Sequence, residues 1–374
     1  NSITKVRIYI YIEVQDIDNY DFASIGKAIS DNFGFTKDRF DMEASIPSDE
    51  VALQNASESC FDFSGGTIYG YYDYEGDDSG NPTCPRALII PSTIGGEAVT
   101  VIDGYAFFDI GLTGVEIPDS VTLINSTAFS ENQITTLTIP DSVISIGESA
   151  FNANMLPDEE AFIYNRTDDN EDGIAEIDTT SLNSYAGAKK DNVVIPSGVV
   201  VIGDYTFSWA DITSVTIPSS VTTINYGAFS VNKLTNITIP DSVTTIQSEA
   251  FGSNLLTSVT LPEGITTIAS YAFSDNLLTG VTIPESVVTI GSGAFWKNKI
   301  SSLTIPSGVR TLGSSSFEEN QISSLTIPNT VISIGDNAFN SNSLPDDSAF
   351  IYKRTDSNSD NIAEISTTEL VSYG

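Results

Sequence analysis

The sharpest chemical pattern in the sequence is Asp168-x-Asn170-x-Asp172-Gly173-Ile174-x-Glu176, with side-chain oxygens at positions 1, 3, 5 and 9 around a glycine turn. A hard cation such as calcium takes roughly six to eight oxygens from one tightly wound segment, and the Ile174 carbonyl falls where a backbone ligand is needed. The pattern returns as Asp356-x-Asn358-x-Asp360-Asn361-Ile362-x-Glu364, where asparagine tolerates the left-handed turn that glycine makes easily. Thr179 and Thr367 occupy the place where an EF-hand loop carries its last glutamate, so the loops are not EF-hands. The two copies predict calcium sites; the alternative is a pair of solvated acidic loops.

Cys60 and Cys84 are the only cysteines. Two cysteines in an acidic chain rich in Ser, Thr and Asn predict one disulfide and an oxidising compartment, the alternative being two buried thiols. A bridge closing a loop of about 25 residues contributes on the order of 3–4 kcal/mol by the chain-entropy argument. Histidine is absent, which removes Ser-His-Asp and Cys-His catalysis and the usual zinc ligands. No carboxylate pair stands in a recognisable acid–base arrangement, and the chain is expected not to be an enzyme. The formal net charge of −35 argues against nucleic acid and anionic lipid as partners. No apolar run reaches the roughly 18 residues of a membrane span. The first residue, Asn1, follows no initiator methionine or leader, which predicts a processed piece of a longer chain.

What positions these residues is a repeat. Proline recurs at 118 and 140, then from 196 to 328 in steps of 22, and phenylalanine keeps the same beat at 107, 129 and 151, then from 207 to 339. One unit runs from Leu256 to Leu277, and its opening Leu256-x-x-Val259-x-Leu261 has leucine-rich-repeat spacing. A single unit cannot bury Val259, Leu261, Ile265, Ile268 and Phe273; units stacked about 4.8 Å apart form one apolar column. Three residues after the Phe stands an Asn in eight of ten units, from Asn132 to Asn342, with Ile110 and Ala210 as the exceptions. A buried Asn at that place is expected to satisfy the backbone of the adjacent turn.

The run Ile139-Pro-Asp-Ser-Val through Ala150-Phe151 to Asn154, repeated from Ile283 to Asn298, resembles the BspA-like, Treponema-type leucine-rich repeat family over roughly residues 60–344. The resemblance implies a curved right-handed solenoid whose LxxLxL strands line the concave face. It also implies a cell-surface or secreted protein, often an adhesin that binds host or matrix proteins.

The expected fold is therefore a β-rich repeat solenoid, a right-handed leucine-rich-repeat array of ten 22-residue units. Residues 1–56 read as a small β-α-β domain, from the alternation Val6 to Val14, a helix after Asp21, and a second alternation from Phe40. Residues 57–87 read as a disulfide-stapled cap with a β-hairpin at Gly65-Gly66; repeats 1–3 follow over 88–156 and repeats 4–10 over 191–344. Between them, residues 157–190 form an acidic insertion that breaks the beat, and residues 345–374 repeat it, truncated, as an interrupted linker.

The strand face is expected to display one column of Thr216, Thr238, Thr260, Thr282, Thr304 and Thr326, and is the predicted binding face. Threonine suits strands for structural reasons alone. Trp209 and Trp296 are expected in the convex turns. The sequence thus predicts a non-enzymatic extracellular or cell-surface protein for adhesion or recognition of a protein or glycan ligand. One alternative is a filament or coat subunit that assembles with copies of itself, head to tail. Another is ice or polysaccharide binding through the threonine columns.

Overall fold

The computed structural model describes residues 52–72, 84–345, 350–356 and 362–373. The expected β-α-β domain over 1–56 lies almost wholly outside them, as do Asn358 and Asp360 of the second acidic loop. The solenoid falls within one unit, Val51–Gly374.

Each repeat builds one turn of a β-solenoid of about eleven turns of roughly 22 residues. The strands are two or three residues long because proline follows the first one and has no N–H to continue a ladder. The chain turns there, with Val121 N–H on the Pro118 carbonyl at 3.0 Å and Val243 on Pro240 at 3.0 Å. The second extended stretch pairs in parallel with its neighbours, Val201–Ile202 against Thr223–Ile224 and then Thr245–Ile246. A third ladder runs through the Ala-Phe turns: the Phe207 N–H meets the Ala228 carbonyl at 2.8 Å, and Phe229 meets Ala250 at 2.8 Å.

The phenylalanines form the expected column. Phe229 and Phe251 stack at 5.2 Å with ring planes 4° apart, and Phe317 and Phe339 at 5.6 Å and 3°. All are fully buried. The buried asparagines tie adjacent turns together. The Asn232 side-chain oxygen accepts the Ile212 N–H at 3.0 Å, and its amide donates to the carbonyls of Phe207 at 2.7 Å and Phe229 at 3.0 Å. This explains Ile110 and Ala210: each belongs to the first unit of a block, where no preceding Ala-Phe turn offers the carbonyl.

The largest departure from the sequence reading concerns residues 157–190. They do not interrupt the solenoid; after a first hairpin in the cap, Phe61–Ser64 with Thr67–Tyr71, they make a second hairpin, Phe162–Thr167 with Glu176–Tyr185, that serves as a rung. Ser181 and Leu182 pair in parallel with Val201 and Ile202, and Tyr185 occupies the phenylalanine column, 5.0 Å from Phe207. The hairpin divides the interior into two columns. Ile163 and Ala186 pack with repeats 1–3, whereas Leu182 and Tyr185 pack with repeats 4–10.

The C-terminal segment is likewise not a linker. Phe350–Thr355 pairs antiparallel with Glu364–Tyr373 as a third hairpin, and the Tyr373 N–H reaches the Asn340 side-chain oxygen at 2.7 Å. The first copy makes the same bond, Tyr185 N–H to Asn152, at 3.2 Å. The short apolar run Phe350-Ile-Tyr is the strand signal in this segment, set beside an acidic stretch.

Candidate binding groove

Every Ala-Phe turn carries two residues in the left-handed backbone region, one two places before the Phe and one two places after it. The ladder between turns favours this geometry, because most of these residues donate their N–H to the next turn, as Tyr205 does to Tyr226 and Trp209 to Ser230. A left-handed backbone favours glycine, and glycine stands at two of the twenty places, Gly227 and Gly293. Elsewhere a side chain is carried outward on the turn.

In repeats 1–7 these outward positions border a groove of about 720 Å³. The groove arises at the second hairpin, whose rung lacks an Ala-Phe turn, so the turns of repeats 3 and 4 approach directly. The Asn152 amide donates to the Tyr205 carbonyl at 2.7 Å and the Ser208 carbonyl at 3.3 Å, and the Ser149 hydroxyl donates to Tyr205 at 3.2 Å. Tyr105, Trp209 and Tyr271 line the groove with rings exposed by 66%, 64% and 41%. Glu131, Glu148 and Glu249 line it too, and among the described residues no Lys or Arg does.

Two glycines explain how the tyrosines lie. A Cβ at Gly227 would stand 2.7 Å from the Tyr205 ring, and one at Gly293 would stand 2.3 Å from the Tyr271 ring. Each ring therefore rests on the glycine of the next rung. Loss of solvent raises the Glu148 carboxyl above its ordinary range, with a further rise from Asp204, whose carboxyl it meets across the junction of repeats 3 and 4. The Tyr226 phenol donates to Glu249 at 2.6 Å and is held well above its ordinary value, first by that bond and then by burial.

The sequence-predicted sites lie elsewhere. Cys60 and Cys84 are bridged, Cα to Cα 5.8 Å. Thr216, Thr238, Thr260, Thr282, Thr304 and Thr326 are exposed and in register, with Thr238, Thr260 and Thr282 linked by parallel bridges. They form a regular face remote in the repeat from the groove residues. Asp168, Asn170, Asp172, Ile174 and Glu176 come together at the tip of the second hairpin. There the Asp168 carboxylate accepts the N–H groups of Asp172 and Gly173 at 3.0 Å each, and Glu176 accepts from the Asn170 amide at 2.8 Å. Asp356, Ile362 and Glu364 flank the equivalent tip of the third hairpin. Among the described residues no three of His, Cys, Asp and Glu gather as a group that would hold a metal.

The sequence places Trp209 on a turn but carries no sign that the turns of several repeats together form a recess. The recess lies at these turns. What the sequence does show is the column two places before the Phe, where Tyr205 is followed one unit later by Gly227, and Tyr271 by Gly293.

The turns, the buried asparagines and the column of phenylalanines agree with a sequence match to the BspA type leucine rich repeat region, in six copies over residues 88–161, 178–298 and 266–369. The chain belongs to this family. Among solved structures it is similar to a leucine rich cell surface protein from Faecalibacterium prausnitzii, at 26% identity over 73% of this chain and 81% of the other, TM-score 0.43. It is also similar to a leucine-rich repeat protein from Eubacterium ventriosum, at 20% identity over 74% and 80%, TM-score 0.46. A third is the leucine rich repeat protein of T. pallidum, at 28% identity over 51% and 91%, TM-score 0.42. No curated protein matches the chain. Among the described residues no helix is long and apolar enough to cross a membrane.

Proposed function

We propose that this BspA-type chain is a non-enzymatic recognition and adhesion protein that works outside the cell and engages protein ligands at the groove of the Ala-Phe turns. Family membership supports recognition of protein partners, and a disulfide suits an extracellular setting. The observation that carries the reading is the exposure of Tyr105, Trp209 and Tyr271 along one groove, on two laddered blocks of turns joined by the Ser149 and Asn152 side chains. Rigid aromatic side chains give large contact area at small entropic cost, which is why they dominate binding hot spots.

The test is adhesion of beads coated with the full chain to a panel of immobilised extracellular-matrix proteins and glycans. The Trp209→Ala/Tyr271→Ala variant should lose adhesion by at least tenfold, whereas Thr260→Ala/Thr282→Ala should keep it. The reverse result would move the binding face to the threonine columns.

A further inference from the structure

Charge sets the groove apart from an ordinary aromatic recess. Three carboxylates line it, from Glu131 in repeat 2 to Glu249 in repeat 6, and among the described residues no cationic side chain lines it to answer them. The chain as a whole carries −35, so a neutral or anionic ligand gains nothing from the surrounding field. Aromatic faces attract cations through their quadrupole, and the molecule contains its own example. Lys297 Nζ lies 4.3 Å from the Trp296 ring centroid, and Trp296 meets Tyr271 edge-on at 6.5 Å. The row of rings that carries this internal cation continues into the groove.

We infer that the groove binds an extended cationic segment of a partner protein, with arginine or lysine side chains laid on Tyr205, Trp209 and Tyr271 and neutralised by Glu131, Glu148 and Glu249. The dimensions suit such a segment. Four turn-to-turn steps of about 4.8 Å separate Glu131 from Glu249, a span of roughly 20 Å, and an extended chain covers it in about six residues. Alternate side chains of that strand face the same way, about 7 Å apart, so three of the six reach the rings and carboxylates. Guanidinium suits the site better than ammonium, because its plane stacks on a ring while its N–H groups reach a carboxylate.

This inference rests on the groove being the recognition site, and the test separates the two. The probe is a capped hexapeptide of alternating glycine and arginine, titrated into the full chain by calorimetry. Controls are a peptide with citrulline in place of arginine and a neutral glucosamine hexasaccharide. The arginine peptide should bind at low salt and weaken at least tenfold between 50 and 500 mM salt, and the citrulline peptide should not bind. Glu131→Gln/Glu148→Gln/Glu249→Gln should reduce affinity at least tenfold, as should Trp209→Ala/Tyr271→Ala. Asp119→Asn/Asp241→Asn/Glu263→Gln, which removes as much exposed charge from the proline turns, should change it less than twofold. Equal losses in both acidic variants would mean attraction to the general surface and overturn the inference. Binding of the saccharide, independent of salt and lost in Trp209→Ala/Tyr271→Ala, would overturn the ligand class and leave recognition at the groove intact. Matrix adhesion that survives Trp209→Ala/Tyr271→Ala would instead remove the groove from recognition altogether.

Discussion

The hairpin at residues 61–71 and the hairpin at residues 162–185 do the same job under different conditions. Each lays a phenylalanine and a tyrosine on the first Phe of a block. Phe61 and Tyr71 lie 5.2 Å apart and Tyr71 is 5.4 Å from Phe107; Phe162 and Tyr185 lie 5.3 Å apart and Tyr185 is 5.0 Å from Phe207. The tyrosine hydroxyls are satisfied alike, on the carbonyls of Pro85 and Lys189, both at 2.8 Å. What differs is the far side. The first hairpin is the edge of its sheet among the described residues and is held by the disulfide to Cys84. The second is gripped by repeat 3: Arg166 donates to the Pro140 carbonyl at 2.8 Å and Asn183 to Ile146 at 3.0 Å. One sequence device starts an array in both places, and the neighbourhood decides whether a covalent staple or polar contacts fasten it.

The largest test of this equivalence removes the ring itself. Tyr185→Ala should cost about 3–5 kcal/mol and split calorimetric unfolding into two transitions, because it breaks the junction between the two apolar columns. Tyr71→Ala should cost a similar amount with no new transition, since it lies at one end. A single unchanged transition for Tyr185→Ala would mean that the columns are coupled elsewhere.

Next in size is the staple. Cys60→Ser/Cys84→Ser should cost about 3–4 kcal/mol. Hydrogen exchange should show the loss confined to the first hairpin and repeats 1–3. Protection lost equally in repeats 4–10 would refute independent fastening.

A smaller effect belongs only to the internal junction, where Glu148 meets Asp204. The carboxyl of Glu148 is raised in the folded state, so the folded protein holds that proton more tightly than the unfolded chain. The associated stability is present at low pH and is lost as pH rises through the raised value. NMR titration should show Glu148 deprotonating above the ordinary 4.5, and Asp204→Asn should lower its midpoint. No movement on that substitution would leave desolvation as the whole cause.

The smallest effect concerns calcium, proposed for the Asp168–Glu176 tip on the spacing of its oxygens. Millimolar calcium should raise the melting temperature of the second hairpin by a degree or two, and Asp172→Ala should abolish the rise while both blocks stay folded. Calorimetry without heat of binding would leave the loop as a self-bonded turn.

Much of the fold was legible because the 22-residue beat ties each buried position to its copy in the next unit. Phe229, Ile224 and Asn232 need only their own period to be placed. The hairpin at 61–71 was legible from its Gly65-Gly66 turn; those at 162–185 and 350–373 were not, since their strands answer to partners in other units rather than to a period and an acidic stretch separates their arms. The groove stayed hidden for a related reason. Its residues come from seven rungs and have no motif along the chain, and only the missing turn between repeats 3 and 4 brings Ser149 against Tyr205.

The division of the interior by the second hairpin also bears on mechanical load. Tension applied to the chain acts on rungs whose ladders run along the solenoid axis, so they open one after another rather than together. Each freed rung of 22 residues lengthens the tether by about 75 Å, and the Cys60–Cys84 bridge withholds the stretch it encloses. Peeling that reaches Tyr185 must start afresh on a separate column of packed rings. A solenoid built this way yields in instalments under tension, and repeats on one side of the hairpin stay folded while those on the other extend.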